Sequence, residues 1–554
     1  MPVRISTGLV QGVPSELPNI TVYKGLRYAA STGGANRWRA PQPPASWEGV
    51  KVADTFGPPC PQVAFGAVDL VVEPSEDCLS LNVWTPVDVE KTDVASAEKL
   101  PVFVWIYGGR FIAGSGSERA YDGAGLASKG IVVVTLNYRV GILGFLATPE
   151  LSAESGHNSS GNYGILDQNA ALKWVQENIA AFGGDPAKVT VGGQSAGGAS
   201  TGLHILSPLS RGLFRAAIPQ SGWRYPRDPL LSGLAPAYRT KEVAERQGAE
   251  TVREKGAATL EELRAMPLDK LLEGNNKNDD RWGNPPFYRP CIDGYVIPLN
   301  YNESLQEGIQ ADVPIMTGHN ADEGGTYTDP AFDENDFKAC AEQKYGAALL
   351  DQFLKLYPVV DGDARAAWND AARDHSRMTT ALWTEEFHKH GKSPIYGYFY
   401  THAPPARAGG PDSVFKKKKE GEEEKKEKEE EEKPQLRIYE SAVPRNVYTY
   451  SKIGPGGRFG AFHGAEIPYA LNNLYAQEGY EYGETDHQVA ASMSGYWANF
   501  IKTGNPNGEG LPEFQATGDG KIMTLGAENG MIDVVDVAEK QAFWREWFAT
   551  QPIW

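Results

Sequence analysis

A serine in a glycine-rich turn is the residue best suited to act as a nucleophile. Residues 192–198 read GGQSAGG and follow the β-branched run Val189 to Val191. This is a G-x-S-x-G pattern between a strand and a helical segment, where the residues two before and two after the serine must lack bulk. Such a turn exposes the side chain of Ser195 and directs the Ala196 amide at a reacting carbonyl. The pattern therefore predicts that Ser195 attacks a carbonyl carbon.

An anion formed by that attack needs backbone donors, and a second glycine segment predicts them. Gly108, Gly109 and Arg110 directly follow the strand-like run Pro101 to Tyr107. Glycine allows the backbone to approach a ligand closely, and amides aligned in advance stabilise an oxyanion at little reorganisation cost. We expect these amides and that of Ala196 to form an oxyanion hole. An ordinary glycine turn is the alternative.

The base that takes the serine proton is expected to be His463. It lies in a glycine-flanked loop, residues 460–466 (GAFHGAE), late in the chain, where the order serine, acid, histidine requires it. The other eight of the nine histidines lack such a setting. His388 and His390 would point in different directions on a helix, and no acidic or cysteine cluster completes a metal site. We therefore expect no metal and no cofactor.

The acid that orients the histidine should lie between Ser195 and His463. Glu323 comes after the apolar run Val313 to Met316 and has a glycine directly behind it, as expected for a side chain at a strand end. Its carboxylate would hold the imidazole tautomer and stabilise the imidazolium without taking the proton. Asp322 is the competing acid.

These side chains need a sheet to bring them together. Residues 101–107, 131–138 and 188–192 are short β-branched and aromatic runs, typical of strands buried on both faces. The apolar spacing between Asn169 and Phe182 is helical. Strand, helix and strand in this rhythm predict an α/β fold, with a large, mostly parallel sheet and crossover helices on its faces.

Size and charge narrow the possible functions. The chain has 554 residues, 41% of them hydrophobic, and a net charge of -18, which disfavours binding to nucleic acid or anionic lipid. No window is long and apolar enough to span a membrane. The motifs are spread from residue 24 to residue 514, so we expect one catalytic domain over residues 1–554, although the length alone would suit about three or four domains. Its only expected partner is a small-molecule substrate, and it would be a monomer or a homodimer.

Two segments bear on the domain organisation of the chain and on the compartment in which the protein is found. Residues 416–433 contain eight Lys and nine Glu, cannot bury apolar area, and are expected to be a disordered insertion without a catalytic part. The residues after Met1 read as a strand and a turn, without the apolar core of a secretory leader. We therefore expect a cytoplasmic protein, or a secreted one if a leader has been removed.

The four cysteines leave alternatives open. Cys60 and Cys78 lie 18 positions apart and could close a loop with a disulfide that stabilises the fold by about 3 kcal/mol. Two buried free thiols are the alternative. Cys291 and Cys340 are expected to be unpaired.

With these pieces in place, the sequence resembles the type-B carboxylesterase family, which includes cholinesterases, fungal esterases and lipases. The matching residues extend over nearly the whole chain: residues 23–28 (YKGLRY), 75–82 (SEDCLSLN), 137–141 (NYRVG), 161–168 (GNYGILDQ), 182–186 (FGGDP), 220–222 (QSG), 292–294 (IDG) and 504–507 (GNPN). The resemblance implies the α/β-hydrolase fold and the hydrolysis of carboxylic esters by a serine hydrolase.

The resemblance also makes predictions about single residues. It implies that a glutamate is the acid of the triad, which supports Glu323. It implies a disulfide between Cys60 and Cys78 and an ion pair between Arg37 and Glu76. By the same match, the oxyanion donors are the amides of residues 109, 110 and 196.

Two departures from the family pattern bear on the substrate. Members commonly have a third glycine where this chain has Arg110, so one donor would be the amide of an arginine. The loop between Cys60 and Cys78 is short and lacks the tryptophan by which cholinesterases bind choline. Choline esters and interfacial lipolysis are both disfavoured. A lipase remains the alternative enzyme, and an inactive adhesion-type relative is the alternative from another class.

The resemblance finally suggests the substrate pocket. Asn284 and Pro286 fall where cholinesterases place bulky aromatic side chains, so we expect a roomy, partly polar acyl pocket. Gln194, next to the nucleophile, and Trp223, just after residues 220–222, are expected to line it. The guanidinium of Arg110 either pairs with a structural carboxylate or reaches the cleft and favours substrates that carry an acidic group.

Overall fold

Runs of valine, isoleucine and aromatic residues form the strands that position the site. The computed structural model describes residues 2–63, 70–88, 97–233, 239–279, 285–327, 329, 331–407 and 460–553. Within these residues the strands are β1 (Val3–Ile5), β2 (Gly8–Gln11), β3 (Val13–Pro14), β4 (Thr21–Arg27), β5 (Val50–Val52), β6 (Ser80–Thr85), β7 (Leu100–Ile106), β8 (Val132–Leu136), β9 (Gly184–Gln194), β10 (Ala216–Gln220), β11 (Ile315–Asn320), β12 (Ile395–Tyr400), β13 (Lys521–Leu525) and β14 (Gly530–Asp533).

Eleven of these strands form one sheet in the order β14-β13-β12-β11-β10-β9-β7-β8-β6-β4-β3. The strands from β13 to β8 pair in parallel, and the strands beyond them on both sides pair antiparallel. A separate small sheet has the order β1-β2-β5. The predicted parallel sheet is confirmed, and β9 is longer than the expected strand at residues 188–192.

Helices cover the large sheet. They are α1 (Ala124–Ala127), α2 (Gly141–Phe145), α3 (Pro149–Glu154), α4 (Tyr163–Asn178), α5 (Ala196–Leu206), α6 (Lys241–Glu254), α7 (Leu260–Ala265), α8 (Leu268–Leu272), α9 (Tyr301–Gln306), α10 (Glu334–Leu356), α11 (Ala364–His388), α12 (Ile467–Ala470), α13 (Glu484–Thr503) and α14 (Ala538–Thr550). The helix expected between residues 169 and 182 begins earlier, at Tyr163, and ends in a 3-10 turn at Ile179–Phe182.

The central strands are buried on both faces, as their sequences predict. In β7 the side chains alternate between two cores: Val102, Val104 and Ile106 pack in one, and Phe103 and Trp105 in the other. Because the strands are parallel, their carboxyl ends lie along one edge of the sheet. The segments that follow β7, β9, β10 and β11 therefore meet there, and these segments carry the residues singled out above.

Two ion pairs, one partly and one fully buried, stabilise the loops around this core. Arg37 pairs with both carboxylate oxygens of Glu76, at 2.6 and 2.8 Å, as the family resemblance implies. Arg139 and Asp167 are almost wholly buried and form a bidentate pair with both distances at 2.7 Å.

The expected disulfide between Cys60 and Cys78 is wrong. Both residues are fully buried free thiols. Cys291, which is also buried, and Cys340, which is half-buried, are free as well. The Cys60 thiol lies 3.7 Å from the Pro61 carbonyl and accepts the Val140 amide at 3.5 Å. A hydrogen bond with Cys60, together with burial, raises the pKa of Cys78 well above its usual value. Since the thiolate is the reactive form, the raised pKa makes the Cys78 thiol less reactive.

Two further expectations concern whole segments. The Lys/Glu run at residues 416–433 lies outside the described residues. Among the helices of the described ranges, none has the length and apolar character needed to cross a bilayer.

Candidate active site

Ser195 stands at a strained turn between β9 and α5. Its backbone has φ 59° and ψ -122°, a conformation that non-glycine residues rarely adopt and that is found mostly at functional sites. The Ser195 amide donates to the Gln220 carbonyl at 2.9 Å, which ties the turn to the end of β10. The residue is 8% exposed. The turn thus holds Ser195 at the carboxyl edge of the sheet, between the end of β9 and the start of α5.

The small residues around Ser195 are required by this geometry. A Cβ atom on Gly193 would lie 2.3 Å from the Ile106 carbonyl oxygen, and one on Gly197 would lie 2.0 Å from the same atom. Both distances are far below van der Waals contact. The turn can therefore pack against β7 only where the sequence has glycine, as the G-x-S-x-G pattern predicts.

The segment after β7 is also strained and lies against the serine. Gly109, Arg110 and Phe111 have φ values of 110°, 56° and 63°. A Cβ atom on Gly108 would lie 3.1 Å from the Cβ of Ser195. The Ala196 amide belongs to the first turn of α5, whose amides have no carbonyl partner within the helix. The structure thus packs Gly108 against Ser195, directly before the start of α5.

His463 and Glu323 form a short hydrogen bond. Nδ1 of His463 lies 2.5 Å from Oε2 of Glu323, and the other carboxylate oxygen accepts the Asn320 amide at 2.8 Å. The Glu323 side chain is 2% exposed and the His463 side chain 32%. With Nδ1 donating to the carboxylate, Nε2 of the imidazole is left as a proton acceptor.

The electrostatics of the pair follow from burial and contact. Burial raises the pKa of Glu323, but the hydrogen bond and charge of His463 outweigh it and hold that pKa at about 2. Burial lowers the pKa of His463, but the hydrogen bond and charge of Glu323 outweigh this effect and raise the pKa above 6.5. The carboxylate is therefore ionised at any working pH, and it makes the imidazole a stronger base.

The competing acid, Asp322, is engaged elsewhere. One of its oxygens lies 2.7 Å from Nη2 of Arg373, and the other accepts the Ala461 amide at 2.8 Å. These contacts hold the loop that carries His463 against the end of β11. Asp322 thus supports the position of the pair, and Glu323 is the carboxylate that meets the imidazole.

Gln194 lies beside the imidazole. Its side-chain nitrogen is 3.4 Å from Nδ1 and 3.3 Å from Nε2 of His463, nearly equidistant from both, so it packs beside the ring. Within the described residues no hydrogen bond joins the Ser195 hydroxyl to His463. Such bonds are often long in free enzymes and tighten only when substrate is bound.

A second buried carboxyl group lies next to the pair. Glu466 is fully buried, and its oxygens accept from Gln220 at 3.2 Å and from Asn320 at 2.5 Å. Burial and the charge of Glu323 raise the pKa of Glu466 to about 7. No sequence pattern assigns this residue a role, although it stands three positions after His463 in the same glycine-flanked loop.

The predicted pocket residues have different surroundings. Trp223 is 6% exposed and packs against Trp383, with ring centroids 5.0 Å apart, over the α5 glycine at position 202. Pro286 is buried opposite Asn278, whose side-chain oxygen lies 3.4 Å from Nη2 of Arg110. Asn284 lies outside the described residues. Arg110 thus connects the segment after β7 with the segment that carries Pro286.

Taken together, these groups are suited to acyl transfer. The structure supplies a hydroxyl on a strained turn, a basic imidazole held by a carboxylate, and a glycine segment packed against the serine, which are groups that such chemistry uses. Within the same described ranges, no three His, Cys, Asp or Glu side chains are grouped so that they could hold a metal ion.

Comparisons with known proteins give the family. A model of the carboxylesterase family matches residues 1–544. The fumonisin B1 esterase of Sphingopyxis macrogoltabida is 33% identical over 554 residues, covering 97% of this chain and 88% of its own length. The para-nitrobenzyl esterase of Bacillus subtilis is 31% identical over 513 residues, covering 88% of this chain and 87% of its own length.

Solved structures agree on the fold. The carboxylesterase EST55 of Geobacillus stearothermophilus superposes with a TM-score of 0.71 at 28% identity, covering 98% of this chain and 99% of its own. A para-nitrobenzyl esterase structure gives a TM-score of 0.72 at 28% identity with the same coverage. The predicted α/β-hydrolase fold is confirmed. The chain therefore belongs to the carboxylesterase family and is a carboxylic ester hydrolase.

Proposed function

We propose that the protein hydrolyses soluble carboxylic esters through an acyl-enzyme on Ser195, with His463 as general base and Glu323 as the residue that orients it. The observation that carries the proposal is the 2.5 Å contact between His463 Nδ1 and Glu323 Oε2, on a loop beside the strained serine turn. A base held in this way has its acceptor nitrogen available for the serine proton.

The reaction proceeds in two halves. The Ser195 oxygen attacks the ester carbonyl as its proton passes to His463 Nε2, and the negative charge develops on the carbonyl oxygen. The amides of Gly109, Arg110 and Ala196 stabilise that oxyanion. Collapse breaks the bond to the alcohol, which leaves with the proton from the imidazole. Water then attacks the acyl-enzyme by the same route, and the acid product and the free serine are released.

The substrate class is a carboxylic ester of small-molecule size. The names of two relatives, a fumonisin B1 esterase and a para-nitrobenzyl esterase, support an ester as the substrate. The short loop between Cys60 and Cys78 supports action on dissolved esters, because it is too short to form a lid of the kind that lipases use.

A panel of 4-nitrophenyl esters of increasing acyl length tests the proposal. The wild type and Ser492→Ala, a control serine on α13, should release nitrophenol at similar rates. Ser195→Ala and His463→Ala should lose about 10⁴- to 10⁶-fold in kcat, because the residues act as one unit. Turnover that persists in Ser195→Ala would refute the mechanism. A jump in rate at the micelle threshold of the longest esters would favour a lipase instead.

A further inference from the structure

Glu466 is a buried carboxyl group that the proposed mechanism does not use. It is 0% exposed and stands three positions after His463, directly before the first residue of α12. Burying a carboxyl group is costly unless hydrogen bonds replace the water that it loses. The donors that meet Glu466 therefore show which parts of the molecule the side chain connects.

One oxygen of Glu466 is connected with Ser195. Oε1 accepts from Nε2 of Gln220 at 3.2 Å, and the backbone carbonyl of Gln220 accepts the Ser195 amide at 2.9 Å. Oε1 of Gln220 in turn accepts from the indole Nε1 of Trp497 at 3.0 Å. Gln220 is 0% exposed, so both ends of its side-chain amide are fixed by buried partners. Glu466 thereby helps to fix the end of β10, to which the strained serine turn is bonded.

The other oxygen of Glu466 is connected with Glu323 and His463. Oε2 accepts from Nδ2 of Asn320 at 2.5 Å. The same nitrogen donates to the carbonyl of Phe462, the residue before His463, at 2.8 Å. The backbone amide of Asn320 donates to Oε1 of Glu323 at 2.8 Å. One asparagine thus contacts both the triad acid and the loop of the base, and Glu466 fixes its side chain.

The reacting side chains stand on three separate segments: the turn after β9, the end of β11 and the loop of residues 460–466. Through Gln220 and Asn320, the carboxyl group of Glu466 reaches all three segments. A displacement of about 1 Å between reacting groups can cost about 100-fold in rate. A rigid connection between these segments therefore acts on the rate of the chemical step.

The donors around Glu466 match its ionised form. The side-chain nitrogens of Gln220 and Asn320 are both donors, and an ionised carboxylate accepts at both oxygens with no hydrogen of its own to place. Burial and the charge of Glu323 raise the pKa of Glu466 to about 7. The carboxylate form therefore predominates at pH 8, where the variants below are compared.

We propose that Glu466 is a positioning residue, which joins the end of β10, the end of β11 and the loop of His463 into one unit and so keeps Ser195 and the imidazole in reacting geometry. Glu466 acts through Gln220 and Asn320 and not on the substrate. This inference rests on the proposed function, because it needs a triad to position.

Glu466→Gln tests the connection with little change of shape. An amide has one accepting and one donating end, so its nitrogen would face the donor of either Gln220 or Asn320 and one connection would be lost. With 4-nitrophenyl butanoate at pH 8, kcat should fall about 10- to 100-fold. KM should change less than about threefold, because the lost interaction acts on the transition state and not on binding. A wild-type kcat in the folded variant would overturn the proposal.

Exchanging the two side chains should restore the connection. In the double variant Gln220→Glu/Glu466→Gln, the carboxylate at position 220 can accept from Trp497 and from the amide at position 466. The amide oxygen at position 466 can accept from Asn320, so every donor again meets an acceptor. The double variant should return kcat to within about fivefold of the wild type. This measurement also serves if Glu466→Gln alone does not fold, and a double variant that is unfolded or no faster than about a tenth of the wild type would overturn the proposal.

Asp293→Asn is the matched control for changing a buried carboxyl group to an amide. Asp293 is 6% exposed, and its partners are also neutral donors: the Ser159 hydroxyl at 2.6 Å and the backbone amides of residues 295–297 at 2.9–3.2 Å. None of these partners belongs to the triad. In the control kcat should stay within about twofold of the wild type, whatever happens to the urea midpoint. A loss of kcat equal to that of Glu466→Gln would show a general effect of such changes and would overturn the positioning role.

Failure of the proposed function would give a different result. In that case the wild type itself would not hydrolyse 4-nitrophenyl butanoate, and a fluorophosphonate probe would not label Ser195. If the wild type is labelled on Ser195, the proposed function stands and the rate of labelling tests Glu466. Labelling of Glu466→Gln should be slower by about the same factor as kcat, and labelling at the wild-type rate would overturn the positioning role alone.

Discussion

Replacing Gly197 by alanine tests whether the serine turn depends on its contact with β7. The added Cβ would lie 2.0 Å from the Ile106 carbonyl oxygen and 2.8 Å from that of Tyr107, whereas carbon atoms in contact are normally about 3.5 Å or more apart. Both neighbours are backbone atoms of the strand that leads into Gly108. The turn and the proposed oxyanion segment would have to separate by more than about 1 Å. A displacement of that size costs about 100-fold in rate, and overpacking costs about 1–3 kcal/mol of stability.

The assay compares kcat/KM and the urea midpoint of Gly197→Ala with those of the wild type. Gly530→Ala is the matched control, because Gly530 lies in β14 and a Cβ there would meet nothing within 4 Å. The control should keep both values. Gly197→Ala with wild-type kcat/KM and a wild-type midpoint would refute the reasoning that the close packing of the turn on β7 fixes the reacting groups.

Glu323→Gln should lower kcat by about 10⁴-fold. In the wild type the acid limb of the kcat/KM profile should lie above pH 6.5, because Glu323 raises the pKa of His463. The variant should move that limb to lower pH, and an unmoved limb would contradict the account. Asp167→Asn should lower the free energy of unfolding by about 3–5 kcal/mol, because it breaks the buried pair with Arg139. A loss below about 1 kcal/mol in urea titrations would show that the pair is not needed for stability. Arg110→Gly keeps the backbone amide, so kcat/KM for neutral and anionic esters should change by the same factor; a selective loss for anionic esters would show that the guanidinium reaches the cleft.

The sequence was sufficient for the parts that depend on local backbone constraints. A G-x-S-x-G pattern after a β-branched run requires a tight turn, and the structure has that turn, with Ser195 at φ 59°. The parallel sheet followed from short strands buried on both faces. The order serine, acid, histidine selected two side chains that meet at 2.5 Å although 140 positions separate them in the chain.

What could not be predicted depends on contacts between distant segments. Cys60 and Cys78 have a spacing that suits a disulfide, but both are free thiols, and the Cys60 sulfur accepts the amide of Val140 from a distant segment. The raised pKa of Glu466 likewise arises from burial beside Glu323, which spacing along the chain does not reveal.

Identification of the acylated residue tests the central claim most directly. The enzyme would be treated with a fluorophosphonate probe, digested, and mapped by mass spectrometry, with Ser195→Ala treated in the same way. The account predicts one labelled peptide, carrying the probe on Ser195, and no labelling of the variant. Labelling of another serine, or labelling that persists in Ser195→Ala, would contradict it.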